Sequence, residues 1–521
     1  MADGACADEL EAVRARARRL HTGGELLAAL RLYDRLIVAG AADADCWRAT
    51  GDALADLGEL AQAVDAYRHS AALAPDRADT EHQLARALFN LGEVGASVRA
   101  LRRAIARTDA VDHHLALATI VPGDPAATAR DVLDVRRALA ARLAASAPQA
   151  CLRPFSGKTR SRRRLRVGYL SAFFHRPNYM KPVWALVNHH DRAALEVHLI
   201  GERAGGEAFA GYRAHRRDVV HDVSGLDNAE LARFLDALDL DLLVDLNGYS
   251  VPERLPLLLA SRARATVAWF NMYGASGLPG VGHLVGDRWV IADAEAPDHD
   301  ERLHALDVSY LTFQPDDAAP VPGASASTER GGAFTFGSLA AQYKLTDEVI
   351  ATWAEILRRV PGSELLIANT ALGSVVNREH LCARFARHGL DPERLRLHGP
   401  APHHEYLGHY DAIDLALDPA PYNGGSTTME ALWQGVPVLA ARGDRWAARI
   451  SASLVANAGL GEYVIDDPRA LVDSAVALAG VDGGRPRSVT ARRALREQVA
   501  SSPVCDGARL AAAMEAVYRR I

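Results

Sequence analysis

The chain reads as an α/β protein: two Rossmann-like domains built on parallel sheets, preceded by an all-α repeat domain. Two observations carry that reading. A set of landmarks returns about every 34 residues through the first hundred positions. Beyond it, two series of short apolar runs alternate with helical segments. A length of 521 residues is enough for several domains and large cores.

The landmarks are Gly24, Gly58 and Gly92, then Ala29, Ala63 and Ser97, then the larger Tyr33, Tyr67 and Leu101. Trp47, Gly51, Leu54 and Pro75 complete the middle repeat. The period is that of tetratricopeptide helix pairs, and it places repeats at residues 10–43, 44–77 and 78–111. Small residues let the paired helices approach closely, while the aromatic or Leu position fills the space between neighbouring repeats. Such repeats either offer a concave groove to a partner or cap the adjoining domain.

Helical patterning continues over 111–146, interrupted by Pro122-Gly123-Asp124-Pro125, and 148–164 reads as a basic linker. The rhythm then changes. Runs at 165–171, 195–200, 242–246 and 266–270, separated by helices such as 228–238, predict a first parallel sheet. Residues 314–332, rich in Pro, Ala, Ser, Gly and Asp, read as a connection. A second series follows at 334–336, 365–368, 395–398, 415–418 and 436–440. The expected domains are therefore 1–111 (repeats), 112–163 (helical segment and linker), 164–325 and 326–521. A helix at 508–519 either closes the last domain or crosses back to the one before it.

A net charge of −6 with interspersed signs gives no reason to expect a nucleic-acid partner, and the arginines of 160–164 read as a solvated linker. Cys6, Cys46, Cys151, Cys382 and Cys505 are scattered and lack CxxC spacing, which predicts reduced thiols, a cytoplasmic location and no structural zinc. The first twenty residues lack the apolar core of a signal peptide, and no segment is apolar enough to span a membrane.

Two places invite anion chemistry. Asn423-Gly424-Gly425-Ser426-Thr427 follows a strand-like run and opens a helix, where free N–H groups, the helix dipole and hydroxyl donors favour a phosphate. An ordinary helix cap would use the same residue types. The second is Lys344 in Gln342-Tyr343-Lys344. Only Lys158, Lys181 and Lys344 are lysines in a chain otherwise basic through arginine, and Lys344 follows a strand, where open α/β sheets bind ligands.

With these residues the chain resembles the tetratricopeptide-containing O-linked N-acetylglucosamine transferase family, in its bacterial and SPINDLY-like branches. Arg166-Val167-Gly168-Tyr169-Leu170-Ser171, Asp245-Leu246-Asn247-Gly248-Tyr249, Gln342-Tyr343-Lys344 and the stretch from Pro421 to Trp433 carry the likeness, in the family's order. The resemblance implies a GT-B fold and an inverting, metal-independent transfer from a nucleotide sugar, UDP-N-acetylglucosamine first, to a hydroxyl of a protein or peptide held by the repeats. No other cofactor and no metal is implied. Lys344 matches the lysine that stabilises the departing diphosphate, and Ser426 and Thr427 match its hydroxyl partners. Glu430 stands where a carboxylate bonds the ribose. Tyr406 and His409 border the base, with Ala401 and His403 beside it. Gln342, Asn423, Gly424 and Gly425 complete the donor side.

The sequence also departs from the family pattern. Gly425 replaces a histidine that animal relatives use near the phosphates. On the sugar and acceptor side, Tyr422 replaces a small residue, as a tyrosine also does in bacterial and SPINDLY-like sequences, and the loop holding Asn271, Tyr273 and Gly274 differs from the usual turn. Tyr249 belongs to this side, as does Arg176, which takes the alignment of a histidine. His175, one residue earlier, is the candidate base, because a neutral imidazole accepts a proton and arginine does not. Water or a donor phosphate oxygen offers another route. UDP-glucose or GDP-fucose as donor, a small metabolite as acceptor, and an inactive repeat adaptor are the competing readings. A metal-dependent reading of Asp239-Leu240-Asp241 fits less well, since the pattern stands at the entrance to a strand.

Overall fold

The computed structural model describes residues 2–157, 164–202, 209–314, 319–323, 333–480 and 488–521. Lys158, the arginines at 160–163 and most of the 314–332 connection lie outside the described residues. Two compact units emerge. One holds 1–120, 124–126 and 338–402; the other holds 121–123, 127–337 and 403–521.

In the first unit, helices α1 (Ala2–Thr22) to α6 (Val94–Arg107) form three hairpins, completed by α2 (Leu26–Val38), α3 (Ala44–Asp56), α4 (Leu60–Leu73) and α5 (Ala78–Asn90). Each hairpin turns on the landmark glycine, Gly24, Gly58 or Gly92, at φ +80°, +80° and +85°, a left-handed conformation that glycine adopts without penalty. Gly51 shows why the small positions recur: a Cβ there would stand 2.6 Å from the Tyr67 ring. Tyr67 is itself buried, in one core with Leu60, Val64, Leu84 and Leu88. The same unit carries the parallel strands β9 (Glu364–Ala368) and β10 (Leu395–His398) and the helices Asp347–Arg359 and Val375–Arg387.

In the second unit, seven strands lie in the order β3-β2-β1-β4-β5-β6-β7, every pair parallel. They are β1 (Leu165–Ser171), β2 (Leu195–Gly201), β3 (Val219–Asp222), β4 (Leu242–Asp245), β5 (Ala265–Ala268), β6 (His283–Asp287) and β7 (Arg302–Leu306). The four expected runs are β1, β2, β4 and β5, and helix Asn228–Leu238 forms with Asp227 and Glu230 as a capping box. A second parallel set in this unit joins β8 (Thr335–Ser338), β11 (Leu415–Leu417), β12 (Val438–Ala441) and β13 (Val464–Ile465).

Helix Gly507–Tyr518 crosses back to the first Rossmann-like sheet. Tyr518 Oη lies 3.0 Å from the Tyr169 hydroxyl on β1, and Glu515 Oε1 lies 3.0 Å from His190 Nδ1. A Cβ on Gly507 would meet the Ala185 carbonyl at 2.4 Å, so only glycine allows this approach. No helix among the described residues is long and apolar enough to cross a membrane.

Candidate active site

Strand order reverses between β1 and β4, and the residues expected on the sugar and acceptor side, apart from Tyr422 after β11, leave the carboxyl ends of β1, β4 and β5 around that switch point. Asn247 ties two of these ends together by accepting the Ala172 amide at 2.8 Å. Gly248, at φ +50°, lies so close to the Asn271 carbonyl that a Cβ would stand 2.4 Å from it. Asn271 is buried and donates to the Asn247 carbonyl at 2.7 Å and the Ser250 hydroxyl at 3.0 Å. Tyr249 is buried as well, donating to the Ser276 carbonyl at 2.7 Å beneath the Arg136 guanidinium, 4.1 Å from its ring centre. Both side chains therefore shape the loops around the crevice.

The loop after β1 and the loop after β5 meet through aromatic edges. Tyr179 packs on Phe173 with ring centres 5.0 Å apart and on Phe270 at 5.2 Å. Phe270 and Tyr273 hold φ of +63° and +55°, with Gly274 at +133°. Three such residues within five positions turn the loop sharply. Tyr273, in the loop that differs from the usual turn, meets the ring of Tyr422 edge-on at 5.7 Å. His175 is half-buried in the turn before helix Pro177–Val187. Its Nδ1 is a buried nitrogen with no hydrogen-bond partner among the described residues. Arg176 is exposed over the Phe173 ring at 5.3 Å.

Helix Ser426–Trp433 opens without a side-chain cap; its N-cap is Gly425. Gly424 donates its amide to Asp418 Oδ1 at 2.9 Å, and a Cβ there would collide with the hydroxyls of Thr427 and Thr428 at 2.5 and 2.6 Å. Asn423 is buried and spans the turn, donating its amide to Ala447 and its side chain to Pro419. A Cβ on Gly425 would meet nothing, leaving open space in front of the helix.

One turn further, Glu430 draws several expected donor residues together. His403 Nε2 stands 3.5 Å from its carboxylate. Burial first, then the Glu430 charge, raises the pKa of Tyr406, whose ring meets His409 edge-on at 6.1 Å. Burial pushes the Glu430 carboxyl itself up to about 7, against the pull of Lys181. Ser426, Met429, Glu430 and Trp433 line a cleft with Asn178 and Lys181. Lys181 and Asn178 were not among the expected site residues, although the rarity of lysine marked Lys181 as plainly as Lys344. At the far end of β4, Asp241 accepts the Arg166 amide at 2.9 Å, which places the Asp-Leu-Asp pattern at the strand's amino end.

In the other unit, Lys344 ends the 3-10 turn Gln342–Lys344 that follows β8, and Ala401 follows β10. Gln342 is buried, its amide nitrogen donating to the Leu91 carbonyl at 3.3 Å and its oxygen accepting from Asn369 at 3.0 Å.

Against known proteins, residues 329–512 match the model described as glycosyl transferase family 41. A solved lysine-to-methionine mutant of Thermobaculum terrenum O-GlcNAc transferase shares the fold along the whole chain. Its TM-score is 0.80 at 26% identity, over 99% of this chain and 97% of that one. Residues 329–512 belong to glycosyl transferase family 41. The family 41 region and the domains before it together have the GT-B fold of an O-GlcNAc transferase, with helical repeats ahead of two Rossmann-like domains. Among curated relatives, "Probable UDP-N-acetylglucosamine–peptide N-acetylglucosaminyltransferase SPINDLY" of Petunia hybrida is 29% identical over 372 residues, covering 68% of this chain and 38% of its own. The protein of the same name from Oryza sativa is 30% identical over 372 residues, covering 69% of this chain and 39% of its own. The chain thus spans about two fifths of the length of these relatives.

Proposed function

We propose that this chain is an inverting, metal-independent glycosyltransferase. It takes a sugar from a nucleotide sugar, UDP-N-acetylglucosamine first, and attaches it to a hydroxyl of a protein or peptide. The observation that carries this reading is the whole-chain likeness to an O-GlcNAc transferase. An acceptor oxygen attacks the anomeric carbon, the bond from that carbon to the diphosphate breaks, and the diphosphate leaves with the electron pair. The hydroxyl proton goes to His175 or, through water, to a donor phosphate oxygen.

Lys344 meets charge as it builds on the leaving group, the electrostatic part of catalysis. The uncapped helix start at Gly425-Ser426-Thr427 offers N–H and hydroxyl donors to the same kind of anion. Glu430 receives the ribose hydroxyls, and Tyr406, His409, His403 and Ala401 border the base. The altered loop that holds Asn271, Tyr273 and Gly274 supports a second reading for the donor alone, in which another sugar, from UDP-glucose or GDP-fucose, is used. The acceptor is a macromolecule held by the repeats, a role with proximity as its physical basis.

Nucleotide release from each of the three donors by the full chain tests both readings. Release from one donor identifies the sugar. Lys344→Ala is expected to lower that release about 100-fold or more with folding unchanged. A folded Lys344→Ala chain that releases nucleotide at the parent rate removes Lys344 from the mechanism.

A further inference from the structure

The three hairpin glycines Gly24, Gly58 and Gly92 share one backbone conformation but differ in what lies beside them. A Cβ on Gly24 or Gly58 would meet nothing. On Gly92 it would stand 2.4 Å from the Leu345 carbonyl and 2.8 Å from that of Gln342. The third turn is therefore pressed against the backbone on both sides of Lys344, within one compact unit. Phe89, at the end of α5, stacks on Tyr343 with ring centres 4.9 Å apart and planes 21° apart.

A buried guanidinium locks this arrangement. Arg384, on helix Val375–Arg387, has a fully buried side chain. It donates to the Leu91 carbonyl at 2.9 Å, the Gly92 carbonyl at 3.3 Å and the Leu345 carbonyl at 2.9 Å, and it pairs with Asp347 at 2.9 Å. Gln342 adds a second strap from the lysine turn to Leu91, held by Asn369 at the end of β9. A planar, always-charged group with five donors suits the joining of three carbonyls and a carboxylate in one place.

We propose that the third helical repeat is the seat of the catalytic lysine: Arg384 and Gln342 are positioning residues that fasten the Gln342–Lys344 turn to Leu91-Gly92 and so fix where the Lys344 ammonium stands. The catalytic weight of that seat rests on the reading of Lys344 given above; the seating itself does not. The amide of Gln342 then serves the repeat rather than the donor.

The scarcity of lysine supplies the test. Reductive methylation of the full chain with carbon-13 labels Lys158, Lys181 and Lys344, keeps their charge, and gives signals assignable by Lys→Arg changes. In Arg384→Met the Lys344 signal is expected to shift while that of Lys181 stays. Gln342→Met, which breaks only the strap to Leu91 and Asn369, is expected to shift it less and carries the test if Arg384→Met does not fold. An unmoved Lys344 signal in a folded variant overturns the proposal. UDP is then added to each protein. A parent Lys344 signal that ignores UDP counts against Lys344 as a diphosphate contact, while the first comparison still decides the seating. Where the parent responds, the variants are expected to need about fivefold more UDP or greater for half the response, as misplacing a contact group implies. An equal requirement reduces Arg384 and Gln342 to structural roles.

Discussion

Glu430 shows what one side chain gains from its surroundings. A carboxyl whose folded pKa lies near 7, against 4.5 without the fold, holds its proton more tightly in the folded chain. It therefore favours folding below about pH 4.5, and that contribution is gone once pH has risen past about 7. Glu430→Gln, which cannot ionise, is expected to be more stable than the parent above pH 7, by on the order of 2 kcal/mol, with the difference closing as pH falls. Urea titrations of both proteins at pH 5 and pH 8 check this; a difference independent of pH would refute it. Donor affinity should move the opposite way. An ionised carboxylate accepts ribose hydroxyls more strongly than a protonated one, so the parent is expected to bind UDP less well as pH drops below 7.

Among the elements, the turn from Pro419 to Ser426 carries the sharpest steric demand. Gly424→Ala places a Cβ against two hydroxyls at 2.5 and 2.6 Å, so the helix start must shift. The expected cost is about 1–3 kcal/mol, read by thermal melting, together with loss of UDP affinity. Gly425→Ala has open space and is expected to fold like the parent. The glycines were legible in the sequence, but their unequal demands were not, because those depend on Thr427 and Thr428 folding over the turn. Strands show the same division. β1, β2, β4 and β5 stood out because their residues are mostly buried on both faces, which leaves short runs that are largely apolar even with Arg166, Glu196 and His198 among them. β3 is an edge strand, largely exposed, and reads Val-Val-His-Asp; β7 is the other edge and carries Arg302 and His304; β13 has two residues. None of these has an apolar signature to find. Lys181 was marked by its rarity, yet it stands inside a helix rather than after a strand, so nothing in its local sequence pointed it toward Glu430.

At the scale of the chain, the last helix is fastened to the first sheet by a polar cluster. Burial holds the His190 pKa below 6.5 against the opposing pull of Glu515. The unfolded chain therefore takes up a proton near pH 6.5 that the folded chain refuses, and stability falls as the solution is acidified past that point. The slope from this residue is at most about 1.4 kcal/mol per pH unit. His190→Gln keeps a donor for Glu515 without a titrating ring, and its melting temperature is expected to fall less than the parent's between pH 7 and 5. Equal slopes would show that the cluster does not sense acid.

Tyr169 and Tyr518 are hydrogen-bonded partners 349 positions apart. During synthesis on the ribosome, the first Rossmann-like sheet must wait, after Tyr169 on β1, for another 349 positions to be read before its closing helix exists. Until then the faces of Ala185, His189 and Tyr169 that this helix covers stay open, a window in which a chaperone has something to hold and an aggregate has somewhere to start.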